Sequence, residues 1–96
     1  MDTKQLKIKA RALSPAIRIG KNGLTPEVIK EISRQLKKKG LIKIKMLPPM
    51  LEGKDKSFKK SAAKEIAAKT NSELLDLTGF VIVLCMRKKK EESQQQ

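Results

Sequence analysis

Histidine, tryptophan and tyrosine are absent from the 96 residues, and there are one cysteine and two phenylalanines. Without histidine there is no Ser-His-Asp triad, no Cys-His pair and no His-ligated zinc site. One cysteine permits neither an intrachain disulfide nor a four-thiolate metal site, and it suits a reducing compartment. Long apolar runs are missing too: the longest, Phe80 to Met86, falls far short of the roughly 20 residues that span a bilayer. The first eleven residues carry Asp2, Lys4, Lys7, Lys9 and Arg11 with no apolar stretch, so no secretory leader and a cytoplasmic location are expected. Acidic residues are scarce, 10 against 23 Lys and Arg, giving a formal charge of +13. The imbalance is not confined to a tail, because residues 1–86 hold 19 of the Lys and Arg and 8 of the acids. So basic a chain suits a polyanion, nucleic acid before an anionic membrane surface. Its size fits one domain with a modest core.

The pattern along the chain predicts alternating helices and strands. Asp2 or Thr3 caps a first helix whose apolar face is Leu6, Ala10 and Leu13, with Lys7 and Arg11 on another face; Ser14-Pro15 ends it. Ala16 to Ile19 alternates as a short strand, Ile17 and Ile19 one way and Arg18 the other. A second helix begins at Thr25-Pro26-Glu27: a hydroxyl cap, a proline where its missing N–H costs nothing, and an acid at the positive dipole end. Val28, Ile29, Ile32 and Leu36 form its buried stripe, and Gly40 closes it. Leu41 to Met46 alternates again, with Ile42, Ile44 and Met46 inward and Lys43 and Lys45 outward.

Leu47 to Asp55, with Pro48-Pro49 and Gly53, reads as a loop and as the best site for mobility. A third helix, capped by Asp55 or Ser57, buries Phe58, Ala62, Ile66 and Ala67 and carries Lys56, Lys60 and Lys64 on one exposed face. Glu73 to Leu77, the Thr78-Gly79 turn and the apolar run Phe80 to Met86 read as a closing hairpin, its last strand covered on both sides. The expected fold is therefore α/β: one domain over residues 1–87, helix-strand-helix-strand-helix-strand-strand, with a four-stranded mixed sheet packed by three helices. Residues 88–96 contain no apolar residue and are expected to be a disordered tail.

The segment with chemistry in it is Gly20-Lys21-Asn22-Gly23, which joins a strand directly to a well-capped helix. Glycine lets the backbone approach a ligand, a helix N-terminus offers unpaired N–H groups, and Lys21 supplies a mobile positive charge. Together these suit a phosphate, with Asn22 able to adopt a left-handed conformation or to hydrogen-bond a sugar or base. The competing interpretation is a plain strand-to-helix turn that needs glycine for geometry alone. Neither a Walker A motif nor a dinucleotide fingerprint is present; the nearer parallel is the GXXG loop with which KH domains clamp a nucleic-acid backbone.

The stretch Ile19-Gly20-Lys21-Asn22-Gly23-Leu24-Thr25, then a helix, then Leu41-Ile42-Lys43-Ile44-Lys45, resembles the CRM domain (chloroplast RNA splicing and ribosome maturation). The Leu77-Thr78-Gly79 turn and the apolar strand ending in Arg87 are similar to that family's last hairpin, so the resemblance covers about Leu6 to Arg87. It implies the element order given above, RNA as partner, association of stand-alone bacterial members with precursors of the large ribosomal subunit, and RNA contact by Gly20, Lys21, Asn22 and Gly23. One departure is Met86 before Arg87, where members often carry an aromatic. Phe58 and Phe80 both fall in apolar patterns, so a base-stacking platform is not expected and recognition should read backbone and shape.

Further candidates for RNA contact are Arg18 beside the loop, Lys30, Arg34, Lys37 and Lys38 along the second helix, and Lys43 and Lys45 on the next strand. For any single lysine the alternative is a solvated side chain. If the loop and helix stripe form one surface, about five phosphates are met, and binding weakens with salt with a slope of about −0.7 to −0.9 per phosphate. Glu27 and Glu31 offset part of this charge at i, i+3 from Lys30 and Arg34. Cys85 is expected to be a buried small hydrophobe, and the carboxylates show no paired arrangement for acid–base or two-metal work. The expectation is a non-catalytic RNA-binding protein with no cofactor, no small-molecule substrate and no membrane. The alternatives are an Alba-like architectural protein on duplex DNA and, last, an enzyme acting on RNA.

Overall fold

Helix α2 (Pro26–Lys39) is the best-specified element. The Thr25 side-chain oxygen accepts from the Val28 N–H at 3.1 Å, and Pro26 occupies the first turn. At the far end Gly40 is left-handed (φ 79°), and its N–H donates to the Leu36 carbonyl at 2.7 Å. Ile32 and Leu36 are fully buried, each worth about 1.5–3 kcal/mol relative to exposure. The computed structural model describes residues 3–86; Asp2, the Thr3 side chain, Arg87 and the expected tail 88–96 lie outside the described residues.

Within that span the order is α1 (Thr3–Arg11), β1 (Ile17–Ile19), α2, β2 (Leu41–Met46), α3 (Pro48–Leu51), α4 (Ser57–Lys69), β3 (Ser72–Thr78) and β4 (Val81–Met86). The strands form one sheet in the order β1-β2-β4-β3, with β1 parallel to β2 and the other two pairings antiparallel. This is the expected α/β mixed sheet, with a fourth helix in addition. Leu47 to Asp55 is not all loop, because Pro48 and Pro49 occupy the first turn of a one-turn helix, where a missing N–H breaks nothing.

The sheet separates two apolar layers. Ile42, Ile44 and Met46 of β2 and Ile82 and Leu84 of β4 pack with α2 and with Ala62, Ala63 and Ile66 of α4. On the opposite side Leu41, Val83 and Cys85 pack with Ala10 of α1, flanked by Leu6, Leu13 and Leu75. Strand β4 is thus buried on both faces, which accounts for its unbroken apolar run. A register irregularity between Leu74 and Asp76 adds one residue to β3, so that Leu74 and Leu77, three apart, both face the α2/α4 side while Leu75 faces the α1 side.

β4 begins at Val81, paired with Thr78, so Gly79 and Phe80 form a two-residue turn. Phe80, expected inside the strand, therefore sits on the turn and is 48% exposed.

Candidate nucleic-acid interface

The Gly20–Gly23 segment is a tight turn: the Gly23 N–H donates to the Gly20 carbonyl at 3.0 Å, and the Thr25 N–H to the Gly23 carbonyl at 3.1 Å. The left-handed residue is Gly23 (φ 69°) and not Asn22. Lys21 and Asn22 are both exposed at its tip. Among the described residues the N–H groups of Lys21, Asn22 and Leu24 meet no backbone acceptor, leaving three donors beside a cation.

The helix end itself contributes less than the sequence suggests. Pro26 has no N–H, Thr25 already takes the Val28 N–H, and Glu27 places a carboxylate in the first turn. The donors available to an anion belong to the turn, with the Glu27 N–H as the one left in the first turn of α2.

Three connections share this end of the sheet. The Leu47 N–H donates to the Ile19 carbonyl at 2.9 Å and the Met46 N–H to the Phe80 carbonyl at 2.8 Å. The Gly20–Gly23 turn, α3 and the Gly79–Phe80 turn are thereby side by side. A Cβ built on Gly20 would stand 4.0 Å from Leu47 Cδ1, so the turn rests lightly against the start of the α3 connection. The first turn of α4 reaches the same end, where Lys59 Nζ lies 4.7 Å from the Phe80 ring centroid.

The remaining candidates separate into three groups. Arg18 and Lys45 are register partners, both exposed, on the sheet face that α1 covers only in part. Lys30 lies one turn into α2, on the other side of the sheet, whereas Lys37 and Lys38 occupy its last turn, about 16 Å from Pro26 along the axis. The loop and the whole second-helix stripe therefore do not form one compact surface. Two candidates are already engaged. Arg34 makes a double hydrogen bond to Glu31, Nε to Oε1 at 3.0 Å and Nη2 to Oε2 at 2.6 Å. That guanidinium, with a further donor from Gln35, holds the Glu31 carboxyl down at about 2. Lys43 is half-buried, and its Nζ donates to the Leu13 carbonyl at 3.0 Å, tying β2 to the end of α1.

Lys7 and Arg11, which the sequence places off the apolar face of α1 without marking them as contacts, line a groove of about 370 Å³ with Lys43, Asp76 and Thr78 between α1 and the sheet. Their i, i+4 spacing is visible in the chain; the side of the sheet on which α1 packs is not. Cys85 is buried, and burial together with the nearby Glu73 carboxylate (Sγ to Oε1 3.7 Å) pushes its thiol up, away from a nucleophile's range. Among the described residues no three His, Cys, Asp or Glu side chains gather to hold a metal, and no helix is long and apolar enough to cross a membrane.

Comparison with known proteins agrees with the fold. A solution structure of the hypothetical protein SAV1595 from Staphylococcus aureus superimposes with a TM-score of 0.74 at 29% identity, covering 91% of this chain and 85% of that one. "Probable RNA-binding protein YqeI" of Bacillus subtilis is 32% identical over 89 residues, 93% of this chain and 86% of the relative. "Probable RNA-binding protein MJ0652" of Methanocaldococcus jannaschii is 38% identical over 81 residues, 84% of this chain; the match spans only 58% of that relative's length. The family model described as the CRS1 / YhbY (CRM) domain matches residues 1–85. With its GxxG turn between β1 and α2 and its four-stranded mixed sheet, the chain belongs to the CRS1/YhbY (CRM) domain family.

Proposed function

We propose that the chain is a non-catalytic, cytoplasmic RNA-binding protein that contacts structured ribosomal RNA during large-subunit assembly. The Gly20–Gly23 turn holds a backbone phosphate with its free N–H groups, and Lys21 neutralises it. Arg18, Lys45 and Lys30 flank the turn and guide the strand. Lys37 and Lys38 meet a more distant phosphate, while Arg34 and Lys43 contribute less because Glu31 and Leu13 already hold them.

The observation that carries this reading is the exposed turn, with unused donors and a lysine at its tip, on a chain of charge +13. Membership of the CRM family supports it, as do two relatives named for RNA binding.

The test is the double variant Gly20→Asp with Lys21→Glu, checked for an unchanged melting temperature and titrated with structured ribosomal RNA. The expected result is weaker binding and a log–log salt slope shallower by about 0.7–0.9 for each phosphate that is no longer neutralised. Unaltered affinity refutes the loop's role. Competition with duplex DNA at physiological salt separates RNA recognition from an Alba-like architectural role, and a preference for the DNA refutes the proposal.

A further inference from the structure

Phe80 stands out on the described surface. It and Ile8 are the large hydrophobic side chains exposed there, and Phe80 sits at the end of the sheet that carries the GxxG turn. With Pro48, Pro49, Leu51 and Glu52 it lines a shallow groove of about 400 Å³. Lys59 Nζ lies over the ring, 4.7 Å from its centroid, so an ammonium steadies the ring that lines the groove.

We infer that this groove seats one unpaired nucleobase of the bound RNA, stacked on the Phe80 ring, next to the nucleotide whose phosphate the Gly20–Gly23 turn holds. The inference rests on the RNA-binding reading and narrows its ligand class to RNA with at least one base out of its helix.

Size and charge select this occupant. A protein partner needs about 800 Å² on each side, whereas the apolar surface here is one ring, two prolines and half-buried Leu51, which matches a single base. The cation placed at the groove is Lys59, on the ring itself; the lining adds the Glu52 carboxylate, and the Lys54 ammonium lies over a different ring, Phe58, at 5.2 Å. An apolar plate with an ammonium group against it, on a chain of charge +13, suits a flat heterocycle attached to a polyanion. Continuity with the turn is direct: Phe80 is bonded through its carbonyl to Met46, and Leu47, the next residue, is bonded to Ile19 and stands 4.0 Å from the place of a Gly20 Cβ. By the strand order the Leu47 connection lies between the turn and the ring, so a nucleic-acid strand that spans both passes over the start of α3, which itself lines the groove.

The experiment uses the full chain with two RNAs of equal charge, a stem–loop with unpaired loop bases and a fully paired duplex. Phe80→Ala, confirmed folded by its melting curve, should lose about 5- to 100-fold in affinity for the stem–loop and little for the duplex. Because the chain has neither Trp nor Tyr, Phe80→Trp adds a unique fluorophore, and a stacked base should quench it on addition of the stem–loop but not of the duplex. Equal losses on both RNAs, or wild-type affinity of Phe80→Ala for the stem–loop, overturn the base seat. If that wild-type affinity is accompanied by loss in the Gly20→Asp/Lys21→Glu variant, the base seat alone is overturned and the RNA-binding reading stands. Failure of the unmodified chain to bind either RNA overturns both.

Discussion

Gly20 and Gly23 differ in what holds them, and alanine at each separates folding from binding. Gly23 has φ 69° and nothing within 4 Å of a Cβ built on it, so an alanine there meets open space but must adopt a left-handed backbone. That conformation costs a non-glycine residue about 1–2 kcal/mol. In a domain of this size each kcal/mol lowers the melting temperature by about 4–8 °C, so Gly23→Ala should melt roughly 4–16 °C lower. Gly20 has no positive φ, and its Cβ would make an ordinary 4.0 Å contact with Leu47 Cδ1. Gly20→Ala should therefore stay within about 0.5 kcal/mol of the parent. Its methyl group nevertheless stands at the turn where a phosphate must approach, so RNA affinity should fall without a change in melting. Differential scanning calorimetry and fluorescence anisotropy with labelled RNA measure the two effects. Equal destabilisation by both substitutions would refute the conformational argument, and full affinity in Gly20→Ala would remove that residue from the contact.

Glu31→Gln should tighten RNA binding and steepen its salt dependence, because it releases the Arg34 guanidinium and removes a negative charge; a shallower slope would contradict this. Glu31 ionises near 2 in the folded chain and near 4.5 when unfolded, so its contribution to stability is complete above about pH 4.5 and disappears as pH falls towards 2. A carboxyl titration by NMR checks the value. Lys43→Met should lower stability by about 1 kcal/mol through loss of the bond to Leu13 while leaving RNA affinity nearly unchanged, and Lys45→Met should do the reverse; denaturant melts and anisotropy compare them. The Cys85 thiol holds its proton above its usual value of 9.0, so the unfolded chain ionises first and stability falls as pH rises past about 9. Thiol labelling at pH 8 should accordingly be slow in the folded chain and fast in urea.

What could be predicted from sequence was whatever neighbouring residues decide together. Thr25, Pro26 and Gly40 delimit α2, and the alternation from Leu41 to Met46 specifies β2, because caps and side-chain period are local. The one-turn helix at Pro48 leaves no periodic signal in the sequence, because four residues are too few to show a period. Phe80 reads as strand because hydrophobicity does not mark where a hairpin turns; the Thr78–Val81 pairing does, and it depends on β2 beyond it. The basic residues were identifiable as a set, yet their distribution was not. That Arg18 and Lys45 share a face, and that Lys43 on the same face is tied to α1, follows from the β1–β2 register and the packing of a helix 30 residues away in sequence.

Strand β1 has three residues, lies at the edge of the sheet and pairs only with β2. The GxxG turn is thus suspended from the least secured ladder in the molecule, whereas β4 is hydrogen-bonded along both sides. Amide exchange should register this as a gradient, with Ile17 to Ile19 opening at a small fraction of the free energy that Ile82 to Leu84 require. Such an arrangement allows the turn to adjust to an irregular ligand by local breathing and leaves the central layers undisturbed. Ligand capture would then appear as slowed exchange at an edge, and that protection would be the sign of a clamp that becomes rigid only when it is filled.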